Sequence, residues 1–256
     1  MPKLDFGLTR IMIAVSLGSL MIACNSNSGD SGGATQGDAL SLSILHINDH
    51  HSHLESDSID FEINGLETEF EMGGFPRVVS KFNELQGSLE AEDRSVLKLH
   101  AGDAITGTLY YTLYEGEADA ALMNQVCFDA FVTGNHEFDS GDAGLKTFLD
   151  YLNSGLCETP VLAANVLPEV GVSPLAQAAA DDYLIPYTIK DFGGEQVGII
   201  GIDIKQKTEM SSNPDETTRF LDEVETAQRY IDELTGQNVN KIILLTHIGY
   251  ENDLSM

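Results

Sequence analysis

Aspartate, asparagine and histidine side chains recur in four short polar clusters that could bind metal ions. The clusters are Asp49-His50-His51, Gly102-Asp103, Gly134-Asn135-His136-Glu137 and Thr246-His247. Carboxylate and amide oxygens combined with imidazole nitrogens suit Mn, Fe, Zn or Co. A carboxylate such as Asp103, alone after a glycine in a tight turn, can bridge two ions. Two ions roughly 3.5–4 Å apart can hold the attacking and leaving oxygens of a phosphate ester and generate a hydroxide nucleophile.

Each cluster lies at the end of a segment that has the apolar pattern of a buried strand. These segments are residues 41–47, 95–101, 129–134 and 240–247. In α/β sheets, sites form outside the carboxyl ends of the strands. We therefore predict that four separate strand ends deliver the polar side chains to one place.

The rest of the pattern alternates between helices and strands. Helices are predicted at 75–89, 116–126, 145–152 and 220–234. Further strands are predicted at 160–166, 183–189 and 196–203, with the last two joined as a hairpin through Gly193-Gly194. The acidic segment 62–71 is predicted to be a solvated loop. This alternation predicts an α/β layered fold.

Other chemistries and simpler explanations have less support. The sequence contains no Ser or Cys nucleophile motif and no P-loop, so covalent and kinase-type catalysis are not indicated. A histidine taken alone is most often a structural or surface residue. Asp49 taken alone could cap a helix. The joint order of the clusters, and their placement at strand ends, favour a functional site over these explanations.

Four segments together resemble the calcineurin-like metallophosphoesterases. They are LHINDHHSHL (45–54), GDAITGTLYY (102–111), GNHEFD (134–139) and LLTHIGY (244–250). More narrowly, they resemble the bacterial periplasmic 5′-nucleotidase and UDP-sugar hydrolase group, and the resemblance extends over residues 41–256. It implies a layered metallophosphoesterase fold, with central β-sheets flanked by helices, and a catalytic domain at 41–256.

The resemblance also implies a set of metal ligands. Asp49 and His51 would hold a first ion, and Asp103 would bridge the two ions. Asn135 and His247 would hold the second. The cofactors would be two divalent ions from among Mn, Zn, Co, Fe and Mg.

A catalytic pair is implied as well. His136 would stabilise or protonate the transition state. Asp139 would orient the imidazole, as a carboxylate fixes the tautomer of a histidine. His50 and His53 match no metal ligand in the pattern of the family.

The implied function is metal-dependent hydrolysis of nucleotide phosphoesters outside the cytoplasm, with a small nucleotide as substrate. Alternatives within this class are 2′,3′-cyclic phosphodiesterase, UDP-sugar or NAD pyrophosphohydrolase, and thiosulfohydrolase. The alternative from another class is a catalytically silent nucleotide-binding surface lipoprotein. The intact pair His136 and Asp139 counts against that alternative.

Two features of the group have no counterpart after His247. Its members carry a further metal-binding segment of the Gly-His-x-His type. They also carry a separate C-terminal domain that binds the nucleoside. We therefore expect the catalytic domain to be incomplete at its C-terminus.

The charge balance is strongly acidic, with 41 Asp and Glu residues against 13 Lys and Arg residues and a formal net charge of −28. A surface of this kind repels the phosphates of nucleic acid polymers, which argues against a polynucleotide partner. It also repels nucleotides at long range. Bound metal ions are the obvious source of local positive charge at a phosphatase site. The sequence leaves the oligomeric state open.

The first residues are typical of an export signal of the lipoprotein type. The apolar run 11–23 follows two basic residues and is too short to span a bilayer comfortably. It ends at Cys24 in a context that resembles a bacterial lipobox. We therefore predict a signal peptide at 1–23 and a lipid anchor at Cys24. A plain secretory signal with an incidental cysteine is the alternative.

The segment that follows, 24–40, is rich in Ser, Gly and Asn and predicts a flexible tether. The protein is thus predicted to be exported and held in the periplasm or cell envelope. Two cysteines remain besides Cys24, and an even number in an oxidising compartment favours a disulfide between Cys127 and Cys157. Two buried free thiols are the alternative.

Replacing the predicted lipid-bearing residue tests the anchor. Cys24→Ser should abolish lipidation and release a soluble exported form, because the apolar run still directs export while the acylated thiol is gone. Separation of membrane and soluble envelope fractions measures the outcome. Retention of the variant in the membrane fraction would contradict the lipobox and indicate that residues 11–23 act as an uncleaved anchor.

Overall fold

The computed structural model describes residues 39–256. The predicted signal peptide, 1–23, and all but the last two residues of the predicted tether, 24–40, lie outside the described residues. In the part of the chain that is described, no helix is both long and apolar enough to cross a membrane.

Strands and helices alternate through residues 39–256. The strands are β1 (Leu42–Ile47), β2 (Ser56–Ile63), β3 (Leu66–Gly73), β4 (Ser95–His100), β5 (Ala130–Val132), β6 (Val161–Leu162), β7 (Val166–Pro168), β8 (Tyr187–Phe192), β9 (Glu195–Asp203), β10 (Thr218–Phe220) and β11 (Lys241–His247). The α-helices are α1 (Phe75–Glu90), α2 (Leu109–Tyr114), α3 (Glu117–Val126), α4 (Gly141–Asn153), α5 (Lys205–Ser211), α6 (Glu223–Gly236) and α7 (Tyr250–Asp253). A short 3₁₀ helix, Asn135–Phe138, follows β5.

The first sheet has the strand order β1-β4-β5-β6, and all of its strands are parallel. It confirms the predicted strands at 41–47, 95–101 and 129–134. Because parallel strands point the same way, the segments that follow β1, β4 and β5 emerge at one edge of the sheet. That edge is where three of the four polar clusters lie.

The second sheet has the strand order β11-β9-β8. β11 and β9 are parallel, whereas β8 and β9 form an antiparallel hairpin that turns at Gly193-Gly194. The predicted hairpin and the predicted strand at 240–247 are confirmed. β8 begins at Tyr187, later than the predicted 183, directly after Pro186, which has no N–H to donate to a strand partner.

The two sheets pack against each other, and helices cover their outer sides. Leu97 of the first sheet and Leu245 of the second belong to one buried cluster between the sheets. On the outer side of the first sheet, α1, α3 and α4 pack around Phe131 of β5. On the outer side of the second, Leu234 of α6 packs with Ile200 of β9. This helix–sheet–sheet–helix layering confirms the predicted α/β layered fold, with central sheets flanked by helices.

The helices begin close to their sequence signals. α1 confirms the predicted helix at 75–89 and has Pro76 in its first turn, where a missing N–H costs nothing. α6 begins later than predicted, because the Asp222 side chain accepts a 2.9 Å hydrogen bond from the Glu225 N–H and caps the helix. Phe220, predicted to start that helix, belongs to β10 instead.

The prediction of a loop at 62–71 is wrong, because these residues belong to an antiparallel hairpin formed by β2 and β3. Acidic composition predicted solvation, but the acidic residues alternate with apolar ones such as Phe61 and Phe70, which is the period of a strand. The turn falls at Asn64-Gly65, with φ values of 53° and 78°. Two-residue hairpin turns favour this dipeptide.

The strand predicted at 160–166 is split into β6 and β7. The N–H of Ala163 donates to Ile185 O at 2.9 Å, and that of Ala164 donates to Gly201 O at 2.8 Å. These bonds turn the backbone away from β5 and toward the second sheet. β7 then pairs with β10.

A disulfide joins Cys127, at the end of α3, to Cys157, which precedes β6. The Cα atoms are 5.3 Å apart, and the two residues are separated by 30 positions in the chain. The predicted bridge is therefore confirmed. It fastens the helical layer to the segment that enters the first sheet.

Replacing both cysteines tests the contribution of this bridge. The double variant Cys127→Ser, Cys157→Ser should lose about 2–4 kcal/mol of unfolding free energy, because the cross-link no longer restricts the unfolded chain. Denaturant unfolding followed by circular dichroism, with and without a reductant, measures this loss. The parent should lose stability in the reductant, and the double variant should not respond. Equal stability of parent and variant without reductant would contradict the assignment.

Candidate metal centre

The predicted ligands emerge where the strands end. Asp49 follows β1, and Asp103 follows β4. Asn135 begins the 3₁₀ helix after β5, and His247 is the last residue of β11. The two sheets therefore contribute to the same edge, as the sequence predicted.

Two groups of side chains are close enough to hold an ion each. Ligand atoms of His51, Asp103 and His136 lie within 4.8 Å of one another, and so do those of Asp49, Asp103 and His247. Asp103 belongs to both groups. Asp49 and His51, which the resemblance assigns to one ion, are also neighbours, with 3.5 Å between Asp49 Oδ1 and His51 Nε2. A carboxylate shared by two groups has the position that a bridging ligand requires.

The Asp103 side chain is buried, with 1% of its surface exposed. Its Oδ1 accepts a 2.9 Å hydrogen bond from the backbone N–H of His136, and its Oδ2 lies 3.0 Å from His247 Nε2. Burial raises the pKa of the Asp103 carboxyl, but the hydrogen bond and charge of His247, with help from His136, lower it by more. Asp103 is therefore a buried carboxylate at neutral pH.

The tautomer of His247 is fixed by the backbone. Its Nδ1–H donates to the carbonyl of Ala101 at 2.7 Å, so Nε2 faces Asp103. Metal-binding histidines commonly have their second nitrogen held in this way. Burial lowers the pKa of His247, but the hydrogen bond and charge of Asp103 outweigh burial and raise the pKa to about 9. An ion that binds Nε2 near neutral pH must displace a proton.

Asn135 provides a test of whether these residues fit a metal ion. Its Oδ1 atom is buried and has no hydrogen-bond partner in the described part of the chain. An unpaired buried acceptor costs about 1–3 kcal/mol, and a cation is a partner that would remove this cost. Together with the nearby carboxylates and imidazoles, the amide oxygen gives a donor set that suits a divalent ion.

His136 and Asp139 are paired. His136 Nδ1 lies 2.6 Å from Asp139 Oδ2, and the other carboxylate oxygen accepts a 2.7 Å hydrogen bond from Ser212 Oγ. The His136 ring packs against the His51 ring, with 4.8 Å between their centres. Because Nδ1 is engaged by Asp139, Nε2 is the atom of His136 that can act on a bound molecule.

Glu137 is a residue that the sequence analysis did not single out for a role. It is fully buried, and its carboxylate accepts hydrogen bonds from the N–H groups of Asp103, Ala104, Ile105 and Gly134, at 2.6–3.3 Å. Burial and the charge of Asp103 raise the pKa of Glu137 to about 8, although these donors oppose the shift. One side chain thus joins the loop after β4 to the loop after β5. Its position beside His136 in GNHEFD is the signal that could have identified it.

Two glycines allow these loops to approach each other. Gly102 has a φ of 89°, and a Cβ at this position would lie 2.7 Å from His247 Nδ1. A Cβ on Gly134 would lie 2.8 Å from His247 Cδ2. Real side chains do not tolerate such distances, so glycine is required where the strand ends converge.

His50 and His53 belong to neither group of candidate ligands within residues 39–256. His50 points to the protein interior, where Nδ1 lies 2.9 Å from His100 Nε2 and Nε2 lies 3.2 Å from Asp119 Oδ1. His53 lies at the surface, 3.0 Å from Asp57. Both positions agree with the implication that neither histidine is a ligand.

A cleft with a volume of about 520 Å³ opens beside the centre. Asp49, Asn135 and His247 line one part of it, and Lys207 and Tyr250 line another. The cleft therefore offers an ammonium group close to the candidate ligands, in a chain whose net charge is −28. A small anionic molecule could enter here and reach the strand ends.

The chain matches the model of one protein family, described as calcineurin-like phosphoesterase, over residues 42–254. It is 42% identical to a probable 5′-nucleotidase of Treponema pallidum, over 95% of this chain and 38% of that protein. It is 44% identical to an NAD 5′-nucleotidase of Haemophilus influenzae, over 85% of this chain and 34% of that protein.

Two solved structures of nucleotidases are also similar to this chain. The NAD nucleotidase of Haemophilus influenzae superimposes with a TM-score of 0.72 at 45% identity, covering 83% of this chain and 39% of that one. A 5′-nucleotidase precursor from Thermus thermophilus superimposes with a TM-score of 0.69 at 36% identity, covering 83% of this chain and 38% of that one. The chain thus spans 34–39% of the length of these relatives.

The proton on His247 gives a testable pH dependence. Its pKa is raised to about 9, so below that pH an ion must displace the proton, and metal affinity should rise as the pH increases toward 9. Calorimetric titration with Mn²⁺ at pH 7, in two buffers of different ionisation enthalpy, counts the protons released. His53→Ala should release as many as the parent, and His247→Ala fewer. Equal binding heats in the two buffers would show that no proton is displaced.

Proposed function

Because the chain belongs to the calcineurin-like phosphoesterase family, we propose that it hydrolyses nucleotide phosphoesters in the manner of a 5′-nucleotidase. The family works with divalent metal ions, and we propose two ions for this chain, from among Mn, Zn, Co, Fe and Mg. One observation carries the proposal: the buried carboxylate of Asp103 is common to two groups of ligand atoms at the converging strand ends. Bound ions would supply Lewis-acid polarisation of the phosphate and an activated water.

Each candidate ligand has a proposed assignment. Asp49 and His51 would hold the first ion, and Asp103 would bridge. Asn135, through its unpaired Oδ1, and His247, through Nε2, would hold the second. The hydrogen bond from His136 to Asp103 comes from its backbone N–H. Its imidazole lies within 4.8 Å of the ligand atoms of His51 and Asp103, and we assign it to the substrate because Nδ1 is already paired with Asp139.

His136 is the proposed catalytic residue. Its Nδ1–H donates to Asp139, so a proton on Nε2 can pass to the leaving oxygen or stabilise charge that develops on the phosphoryl group. Asp139 fixes the orientation of the imidazole. Ser212 in turn holds Asp139. A side chain held in this way acts without reorganising during the reaction.

Charge supports a small nucleotide as the substrate. With a net charge of −28, the chain repels a polyanion at long range, which disfavours nucleic acid polymers. A single nucleotide carries far less charge and can be held by local cations. Lys207 lines the cleft beside the candidate ligands, where its ammonium group can attract a phosphate.

Two kinds of alternative remain. The Haemophilus influenzae relative is named an NAD 5′-nucleotidase, which supports NAD as an alternative substrate. UDP-sugar hydrolysis and 2′,3′-cyclic phosphodiesterase activity use the same chemistry. A catalytically silent nucleotide-binding surface lipoprotein is the alternative from another class. The short hydrogen bond between His136 and Asp139 favours the enzyme, because binding alone does not require this pair.

The same proposal covers the organisation of the chain. A signal peptide at 1–23 directs export, a tether at 24–40 follows lipidation at Cys24, and the catalytic domain begins at 41. The family match over 42–254 supports the start of that domain. The protein would then act in the periplasm or cell envelope, on nucleotides outside the cytoplasm.

Replacing His136 separates the enzyme from the binding protein. His136→Ala should lower kcat by about 10²–10⁴-fold, the usual contribution of a general acid, with little change in KM or metal content. Asp139→Ala should lower kcat less, because Asp139 only orients the imidazole. Hydrolysis of AMP and of bis(p-nitrophenyl) phosphate with added Mn²⁺ measures both effects.

His53→Ala is the matched control, since His53 lies at the surface outside the metal centre. It should retain the parental kcat. Parental kcat in His136→Ala on both substrates would remove His136 from catalysis. If the complete parent protein binds metal but hydrolyses neither of these substrates, nor UDP-glucose, nor NAD, the binding-protein alternative takes the lead.

A further inference from the structure

Asp119 is a fully buried carboxylate behind the loop that carries two of the candidate ligands. It lies in the first turn of α3, where the helix dipole favours negative charge. Its Oδ1 is 3.2 Å from His50 Nε2, and its Oδ2 accepts a 3.0 Å hydrogen bond from Ser52 Oγ. His50 and Ser52 flank His51 in the chain, so Asp119 holds the loop at two points on either side of a candidate ligand.

The proton positions in this network follow from its acceptors. A carboxylate can only accept hydrogen bonds, so His50 Nε2–H is the donor in its contact with Asp119. His50 Nδ1 lies 2.9 Å from His100 Nε2, so one of these two nitrogens donates a hydrogen bond to the other. His100 packs against Phe128 and Phe131, and burial lowers its pKa, which keeps it neutral. Hydrogen bonds therefore connect His100 through His50 to Asp119.

The loop held by Asp119 has an unfavourable backbone conformation. Asp49, His51 and Ser52 have φ values of 53°, 45° and 50°. Residues with side chains rarely adopt this region, and they persist there only when the surrounding structure holds them. Without an external hold, the loop would relax and the two ligand side chains would change direction.

Bonds to two neighbouring parts of the chain, the segment 102–108 and α3, provide this hold. On one side, the N–H groups of Asp49, His51 and Ser52 donate to the carbonyls of residues 102–104, at 2.9–3.2 Å. These bonds tie the loop to the segment that contains the bridging carboxylate. On the other side, the Asp119 carboxylate ties the loop to α3 through side chains alone. Asp119 touches no candidate ligand itself, so any effect on the metal must pass through the loop.

We propose that Asp119 is a positioning residue, which acts through His50 and Ser52 to direct Asp49 and His51 toward the metal. This inference rests on the proposed function, because only a metal-binding loop needs such positioning. Partners that orient metal ligands from outside typically contribute 10–100-fold to metal affinity. Asp119 should therefore determine how tightly the ion held by Asp49 and His51 binds.

Asp142 offers a matched control for a purely structural role. It is also fully buried, and its carboxylate also accepts from side-chain hydroxyls, those of Ser173 and Thr218. Its remaining partner is the N–H of Asp215, so it does not hold the metal-binding loop. The same Asp→Asn change at both sites removes similar buried hydrogen bonds. Only the change at Asp119 removes bonds to the metal-binding loop.

The test is Mn²⁺ affinity of the full chain, measured by calorimetry below the unfolding transition of every variant. Asparagine keeps the shape of aspartate but has an NH₂ donor in place of one carboxylate oxygen, so its two ends cannot both accept, one from the His50 N–H and the other from the Ser52 O–H. Asp119→Asn should bind Mn²⁺ about 10–100-fold more weakly than the parent. Asp142→Asn should keep the parental affinity, even if it lowers the unfolding temperature.

Two serine variants that each remove a single hydrogen bond keep the test decisive if Asp119→Asn fails to fold. Ser52→Ala removes one of the two bonds to Asp119 and should weaken Mn²⁺ binding severalfold. Ser173→Ala removes the equivalent bond to Asp142 and should not. Parental affinity in the Asp119 and Ser52 variants, or equal loss in these variants and their controls, would overturn the positioning role. A parent that binds none of Mn²⁺, Zn²⁺, Co²⁺, Fe²⁺ and Mg²⁺ would overturn the proposed function, and this inference with it.

Discussion

Two carboxylates, Asp103 and Glu137, are buried side by side where the strands of both sheets end. Negative charge in the interior is costly unless it is paired or hydrogen-bonded. Glu137 meets this constraint only in part with backbone N–H donors, which join the loops after β4 and β5, and its pKa of about 8 reflects the cost of charge that remains. Asp103 meets it with His247, with the His136 N–H and, in the proposed function, with metal ions. The layered fold brings together the strand ends from which these compensating groups come.

Much of this centre could be predicted because its signals are local. Each candidate ligand follows or closes an apolar strand, and the carboxyl ends of parallel strands meet at one edge. Gly102, directly before Asp103, indicates a place where the backbone lies close to another group, and in the structure that group is the His247 side chain. The pair His136 and Asp139 is three residues apart, so a single turn of 3₁₀ helix is enough to join them. The pattern alone placed these side chains at the strand ends, whereas their roles as ligands and as a catalytic pair came from the resemblance to the family and stay predictions.

What could not be predicted depends on contacts between distant segments. The bonds from Asp119 to His50 and Ser52 join a helix to a loop that lies far from it in the chain. Nothing in the spacing of these residues indicates that they meet. Ser212 reaches Asp139 in the same way. The β2–β3 hairpin is a different case: its alternation and its Asn64-Gly65 turn were visible, but the acidic composition favoured a loop.

The most direct measurement of the central claim is anomalous diffraction from crystals of the chain grown with Mn²⁺, recorded at the manganese absorption edge. The account predicts two anomalous peaks roughly 3.5–4 Å apart, one on each side of the Asp103 carboxylate. Asp49 and His51 should contact one peak, and Asn135 and His247 the other. A single peak without contact to Asp103, or no ordered manganese at the strand ends, would contradict the account.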